Sequence, residues 1–177
     1  MTRNILYIWK LLTSDLYPTQ WNLLEALLKN ENIIFTAATN SGKTIPAIIY
    51  PLVLQKLGKM GYPSFQNPKV LFVTALNSLQ LSLLNNINKI GIECEAATKS
   101  NIERLMTSRI SVVLISPEVL KIQSVTQILL KNRSKFVLKV VDEAHLGMYF
   151  VNSYKKMILK SLNKHQAFLI SYEMVSR

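Results

Sequence analysis

The 177 residues of this chain suit one domain and leave little room for a second. Hydrophobic residues at 49% against charged residues at 18% supply a packed core and exclude a generally disordered chain. Lys and Arg number 21 against 10 Asp and Glu, a formal charge of +11 that suits a polyanionic partner, while the single Cys94 excludes an internal disulfide and a Cys-rich metal site.

Met1 to Leu12 carries Arg3, Asn4 and Lys10 and lacks a cleavage-like end, so it does not read as a signal peptide. Residues 1–15 read as an N-terminal extension and 16–177 as the domain. Gln20 to Leu28 sets Leu23, Leu24, Leu27 and Leu28 on one helical face, and Trp21 on this helix reads as a packing residue. Ile33 to Thr36 is a short apolar run before a polar loop. Thr44 to Leu57 is helical in pattern; Pro46 sits in its first turn, and Pro51 is expected to kink or end it. A loop follows to about Pro68, then a strand at Val70 to Thr74 and a helix at Leu76 to Ile90. Further strands are expected at Ile92–Ala96, Ser111–Ile115, Phe136–Val141 and Ala167–Ile170, with shorter helices at Ser124–Leu130 and Tyr154–Leu162. Apolar runs without polar alternation suit parallel strands covered on both faces. The order is that of βαβ units, and such folds collect ligands at the carboxyl ends of the strands. No apolar stretch reaches the ~18 residues of a membrane span.

The informative residues do follow strands. Ala37-Ala38-Thr39-Asn40-Ser41-Gly42-Lys43-Thr44 follows the first strand and opens a helix. It fits the phosphate-binding pattern G-x-x-x-x-G-K-[ST] except at Ala37. Backbone N–H groups of Thr39, Asn40, Ser41 and Gly42 would face phosphate oxygens, and Gly42 lets the backbone approach closely. Lys43 would reach the outer phosphates, and the Thr44 hydroxyl would ligate Mg²⁺. The fifth strand runs into Asp142-Glu143-Ala144-His145. Asp142 is a candidate Mg²⁺ ligand, and Glu143 a candidate for orienting and deprotonating an attacking water. His145 has no second ligand at helical spacing, and His165 reads as a surface residue, so a zinc hydrolase is not expected.

These two motifs resemble those of the first ATPase domain of superfamily 2 helicases. Asp142-Glu143-Ala144-His145 matches the DEAH-type box in the form that RecQ-like helicases share. Tyr17-Pro18-Thr19-Gln20 resembles the segment whose glutamine contacts adenine, and Gln20 stands 23 residues before Lys43, a spacing that RecQ-like proteins show. Val73 to Leu79 and Ile115-Ser116-Pro117-Glu118 resemble the two motifs that touch the nucleic-acid backbone. Phe150 and Tyr154 stand where RecQ-like helicases have an aromatic-rich segment. The sequence departs from the family at Asn40, where a glycine is usual, and at Ser171-Tyr172-Glu173, where Ser-Ala-Thr or Thr-Ala-Thr is usual. The Trp-Gly portion of the aromatic loop is also absent.

The resemblance implies an α/β, P-loop NTPase (RecA-like) three-layer sandwich with a mostly parallel central sheet. It implies ATP and Mg²⁺ as cofactors, held by Gln20, the loop to Thr44 and Asp142, with Lys43 and Glu143 as catalytic residues. Thr74, Asn77, Ser116 and Pro117 would contact nucleic acid, DNA in preference to RNA, and Lys121, Lys131, Arg133, Lys135 and Lys139 supply a basic segment beside them. The expected function is the ATP- and nucleic-acid-binding lobe of a RecQ-like DNA helicase, in the nucleus, or in the cytoplasm of a prokaryote. Unwinding would need a second RecA-like lobe, which supplies the arginine finger, so the chain reads as a fragment of a longer helicase or a diverged remnant. The alternatives are an RNA helicase lobe of the DEAD/DEAH class and a non-catalytic module that binds nucleic acid or protein.

Overall fold

The computed structural model describes residues 16–36, 41–61, 67–74, 77–142 and 166–171. Within them the chain forms α1 (Pro18–Leu28), β1 (Ile33–Thr36), α2 (Ile45–Lys59), β2 (Lys69–Val73), α3 (Asn77–Lys89) and β3 (Cys94–Ala96). Next come α4 (Ile102–Thr107), β4 (Val112–Ile115), α5 (Pro117–Leu120), α6 (Gln123–Lys131), β5 (Phe136–Val141) and β6 (Gln166–Ser171). The strands form one sheet in the order β1-β6-β5-β2-β4-β3, and every pairing among them is parallel.

Two apolar layers cover the sheet. Successive strand residues point to opposite faces, so β2 supplies Val70 and Phe72 to one layer and Leu71 and Val73 to the other. The first layer packs Leu23 and Leu27 of α1, Val53 of α2 and Ile87 of α3 against Leu138 and Val140. The second packs Leu105 of α4 and Val125 and Leu129 of α6 against Val113 and Ile115. Trp21 packs against the first layer. Tyr50 adds a polar tie there: its hydroxyl donates to the Leu27 carbonyl at 3.1 Å, joining α2 to the end of α1. Cys94 is buried, and burial pushes its thiol pKa up to about 12, which removes it from thiolate chemistry near neutral pH.

All six expected strands are present, with ends shifted by two residues at most. Of the two outcomes expected at Pro51, an end to the helix does not occur: α2 runs through it to Lys59. Pro51 lacks only its own N–H, and its ring is buried with Val53 and Leu54. The apolar contacts of that face outweigh the lost hydrogen bond. The short helices α4 and α5 were not anticipated, because six and four residues are too few to show a helical period. The helix expected at Tyr154–Leu162 lies outside the described residues.

The sheet also buries two lysines. Lys69, 1% exposed, donates to the carbonyls of Ser108 and Ile110 at 2.8 and 2.7 Å. Lys139, 5% exposed in the middle of β5, has no hydrogen-bond partner for its Nζ. Burial lowers its pKa from 10.5 to about 8. A base whose folded pKa is lowered binds fewer protons than the unfolded chain between those two values. Stability should therefore rise as pH increases from about 8 to about 10.5. Lys139→Met removes the buried charge and keeps the volume, so it should raise the melting temperature at pH 7 by about 3–6 °C. Thermal melts of both proteins across this pH range check it, and the variant should show the shallower rise.

Candidate nucleotide and nucleic-acid site

The parallel register brings several of the expected site residues to one edge of the sheet. The strand β1 ends at Thr36, paired with Ser171, and Val141 pairs with Leu169 and Val73. Val73 pairs in turn with Ile115. The residues that follow β1, β5, β2 and β4 therefore emerge together at the carboxyl edge. Among the described residues these are Ser41 to Thr44, then Asp142, Thr74 and Ser116.

Gly42 adopts φ +69°, a left-handed conformation that costs glycine nothing and strains other residues. Its carbonyl accepts from the Ile45 N–H at 3.1 Å and from Gln20 Nε2, also at 3.1 Å. Gln20 is buried, and its Oε1 accepts from the Tyr17 N–H at 3.0 Å. Both ends of this amide are thus occupied, one by the start of α1 and one by the loop. Pro18 opens that helix with Gln20 at its third position, so the helix begins two residues earlier than the apolar pattern suggested. A Cβ on Gly42 would lie 2.2 Å from Gln20 Nε2, so only glycine admits the contact.

Lys43 is 5% exposed, and the Ser41 hydroxyl is buried without a hydrogen-bond partner. Thr44 precedes α2, and its side chain makes no capping hydrogen bond. The start of α2 also contains no acidic residue, so nothing there opposes an anion. A close-approach glycine, a buried ammonium, an unpartnered hydroxyl and a helix N-terminus suit polyphosphate oxygens. Thr44 and Asp142 offer hard oxygen donors of the kind Mg²⁺ takes.

Further along the edge, the Asp142 N–H donates to the Val73 carbonyl at 2.9 Å, which fixes the turn out of β5; the residue is half-buried. Thr74 is buried, and its hydroxyl has no hydrogen-bond partner. Ser116 caps α5, its Oγ accepting from the Val119 N–H at 3.4 Å, and Pro117 takes the first helical position. Asn77 opens α3. Thr39, Asn40, Glu143, His145, Phe150, Tyr154 and His165 lie outside the described residues.

Of the basic segment only Lys121, at the end of α5, stays on this side of the sheet; Lys139 is buried within β5, and Lys131, Arg133 and Lys135 precede that strand at its amino end. The sequence signal for Lys139 was its place inside an otherwise apolar run, where any residue of a strand covered on both faces is buried.

A search of curated proteins finds no match. Solved structures similar to the chain include a hypothetical ATP-dependent RNA helicase from Sulfolobus tokodaii, 22% identical with a TM-score of 0.64, over 97% of this chain and 50% of that one. The DUF1998 helicase MrfA is 19% identical with a TM-score of 0.62, over 98% of this chain and 29% of that one. The chain thus spans half the length of the first and less than a third of the second. The shared fold is the RecA-like α/β P-loop NTPase fold with a parallel central sheet. The profile described as DEAD/DEAH box helicase matches residues 17–171. With that match over most of its length, the chain belongs to the DEAD/DEAH box helicase family.

Proposed function

We propose that this chain is the ATP-binding lobe of a two-lobed helicase that acts on RNA, holding Mg-ATP at the loop before α2 and nucleic acid at the loops after β2 and β4. The observation that carries the nucleotide site is the Gln20–Gly42 hydrogen bond beside the buried Lys43, on the sheet edge that also presents Asp142. In this reading Lys43 balances charge on the outer phosphates. Thr44 and Asp142 hold Mg²⁺, Glu143 orients a water, and Gln20, anchored to Gly42, reads the base with the hydrogen-bonding capacity its amide has left. Mg-ATP supplies a phosphoryl group whose transfer is accelerated mainly by positioning and charge balance. Thr74, Asn77, Ser116 and Pro117 lie where a single strand would pass, and Thr74 has a hydroxyl to spare.

Two points favour RNA over the RecQ-like DNA reading. The matching profile is that of the general DEAD/DEAH family, and the Sulfolobus tokodaii protein is described as an RNA helicase. The 23-residue spacing from Gln20 to Lys43 keeps DNA as the second reading. The affinities of the chain for single-stranded RNA and DNA of one sequence, with Mg²⁺ and a non-hydrolysable ATP analogue, separate them. Tighter binding to RNA, through its 2′-hydroxyls, is the expected result. Equal or reversed affinities return the reading to DNA, and the lack of any saturable nucleotide site would leave the non-catalytic module.

A further inference from the structure

In a parallel α/β sheet each helix ends where the next strand begins. The last turns of α2, α3, α4 and α6 therefore gather at the amino edge, opposite the nucleotide loop. Lys56 and Lys59 close α2, Lys89 closes α3 and Lys131 closes α6. Arg109, Arg133 and Lys135 lie in the connections that follow, and all seven side chains are exposed. Arg104 is engaged by Glu95, and Glu93 is the one acid in these last turns and connections.

Cations at helix C-termini ordinarily offset the helix dipole, and that effect has a size. Four C-termini carry about −0.5 charge each. Against seven cations and one acid, the dipoles balance only about a third of the excess. Two of these cations, Lys59 and Arg109, line a groove of about 800 Å³ together with Asn67 and Glu93, with Leu52 and Ile92 among its walls. One neighbouring exposed cation is fixed in place: Lys135 donates to the Met106 carbonyl at 2.9 Å. The strand order β5-β2-β4 sets Lys135 and Arg109 ahead of the amino ends of two strands, about 10 Å apart at ~4.8 Å per strand.

We propose that this groove and its basic rim bind the phosphodiester backbone of a nucleic-acid duplex, at a surface separate from the nucleotide edge. Among the described residues, the lining contains no aromatic residue. A single strand would be expected to stack on aromatics, and a protein partner to fill a pocket with an aromatic or Arg anchor. Fixed and flexible cations on a polar, open groove suit phosphates spaced along a rigid duplex.

The test is fluorescence anisotropy with a short blunt-ended DNA duplex and the full chain, without nucleotide, over a range of salt concentrations. Lys59→Ala with Arg109→Ala should weaken binding on the order of tenfold near 0.1 M salt. It should also flatten the slope of log affinity against log salt by about 1.8, the value for two lost phosphate contacts. Both side chains are exposed, so the melting temperature should stay that of the parent. Lys99→Glu removes the same two units of net charge at another exposed surface and should cost little. An equal loss in this variant and in the double variant would assign the binding to overall charge and overturn the proposal, as would no loss in the double variant. Displacement of the duplex by a poly-glutamate peptide at lower concentration than by unlabelled duplex would also overturn it, in favour of an acidic protein partner.

Discussion

Lys43→Ala should abolish saturable binding of Mg-ATP, with affinity falling at least a hundredfold, while the fold is retained. Lys43 is buried at the start of α2, so a phosphate bound there would meet it with little competition from water, and the interaction would be correspondingly strong. Alanine leaves the helix N-terminus in place, so the loss reports the charge and not the loop. Titration of a fluorescent ATP analogue measures the affinity, and circular dichroism verifies the fold. Unchanged affinity would remove Lys43 from the site and with it the proposed phosphate loop.

Gly42→Ala should have the second largest effect. The new methyl group meets two costs at once, the left-handed backbone at φ +69° and the 2.2 Å approach to Gln20 Nε2. Backbone strain of this kind is worth about 1–3 kcal/mol. The Gln20 amide must also leave the Gly42 carbonyl, so the side chain proposed to read the base loses its anchor. Nucleotide affinity should fall by about tenfold or more, and the melting temperature by several degrees. Gln20→Ala separates the two costs, because it removes the amide without backbone strain. It should reproduce part of the affinity loss with a smaller change in melting temperature.

The sheet was largely legible in the sequence because each parallel strand is covered on both faces and so appears as an unbroken apolar run. Val112 to Ile115 and Phe136 to Val141 show this directly. Whether α2 would end at Pro51 was not legible, because a local rule about one missing N–H carries no information on the packing around it. The short α4 and α5 fall below the length at which periodicity can be recognised. At the candidate site, Lys43, Thr44, Asp142 and Ser116 were legible from motif and strand context. The two-ended hydrogen bonding of Gln20 was not, since it joins residues on either side of β1. Charge was the least informative signal. A total of +11 says nothing of position, and the exposed cations ending α2, α3 and α6 turn away from the edge on which the motifs lie.

The sheet order has a consequence for how the site comes into being. The strand that leads to the phosphate loop and the strand that leads to Asp142 are not neighbours; β6, the last of the described strands, lies between them. Ile33 pairs with Phe168, so the contact that joins the two halves closes a loop of 135 residues, at an entropic cost of about 4 kcal/mol in an ideal chain. Contacts of such long range form late and slowly. During synthesis the phosphate loop and the acidic turn therefore emerge long before they can be held at a fixed separation. A nascent chain gains its complete nucleotide edge only when residues 166–171 have left the ribosome.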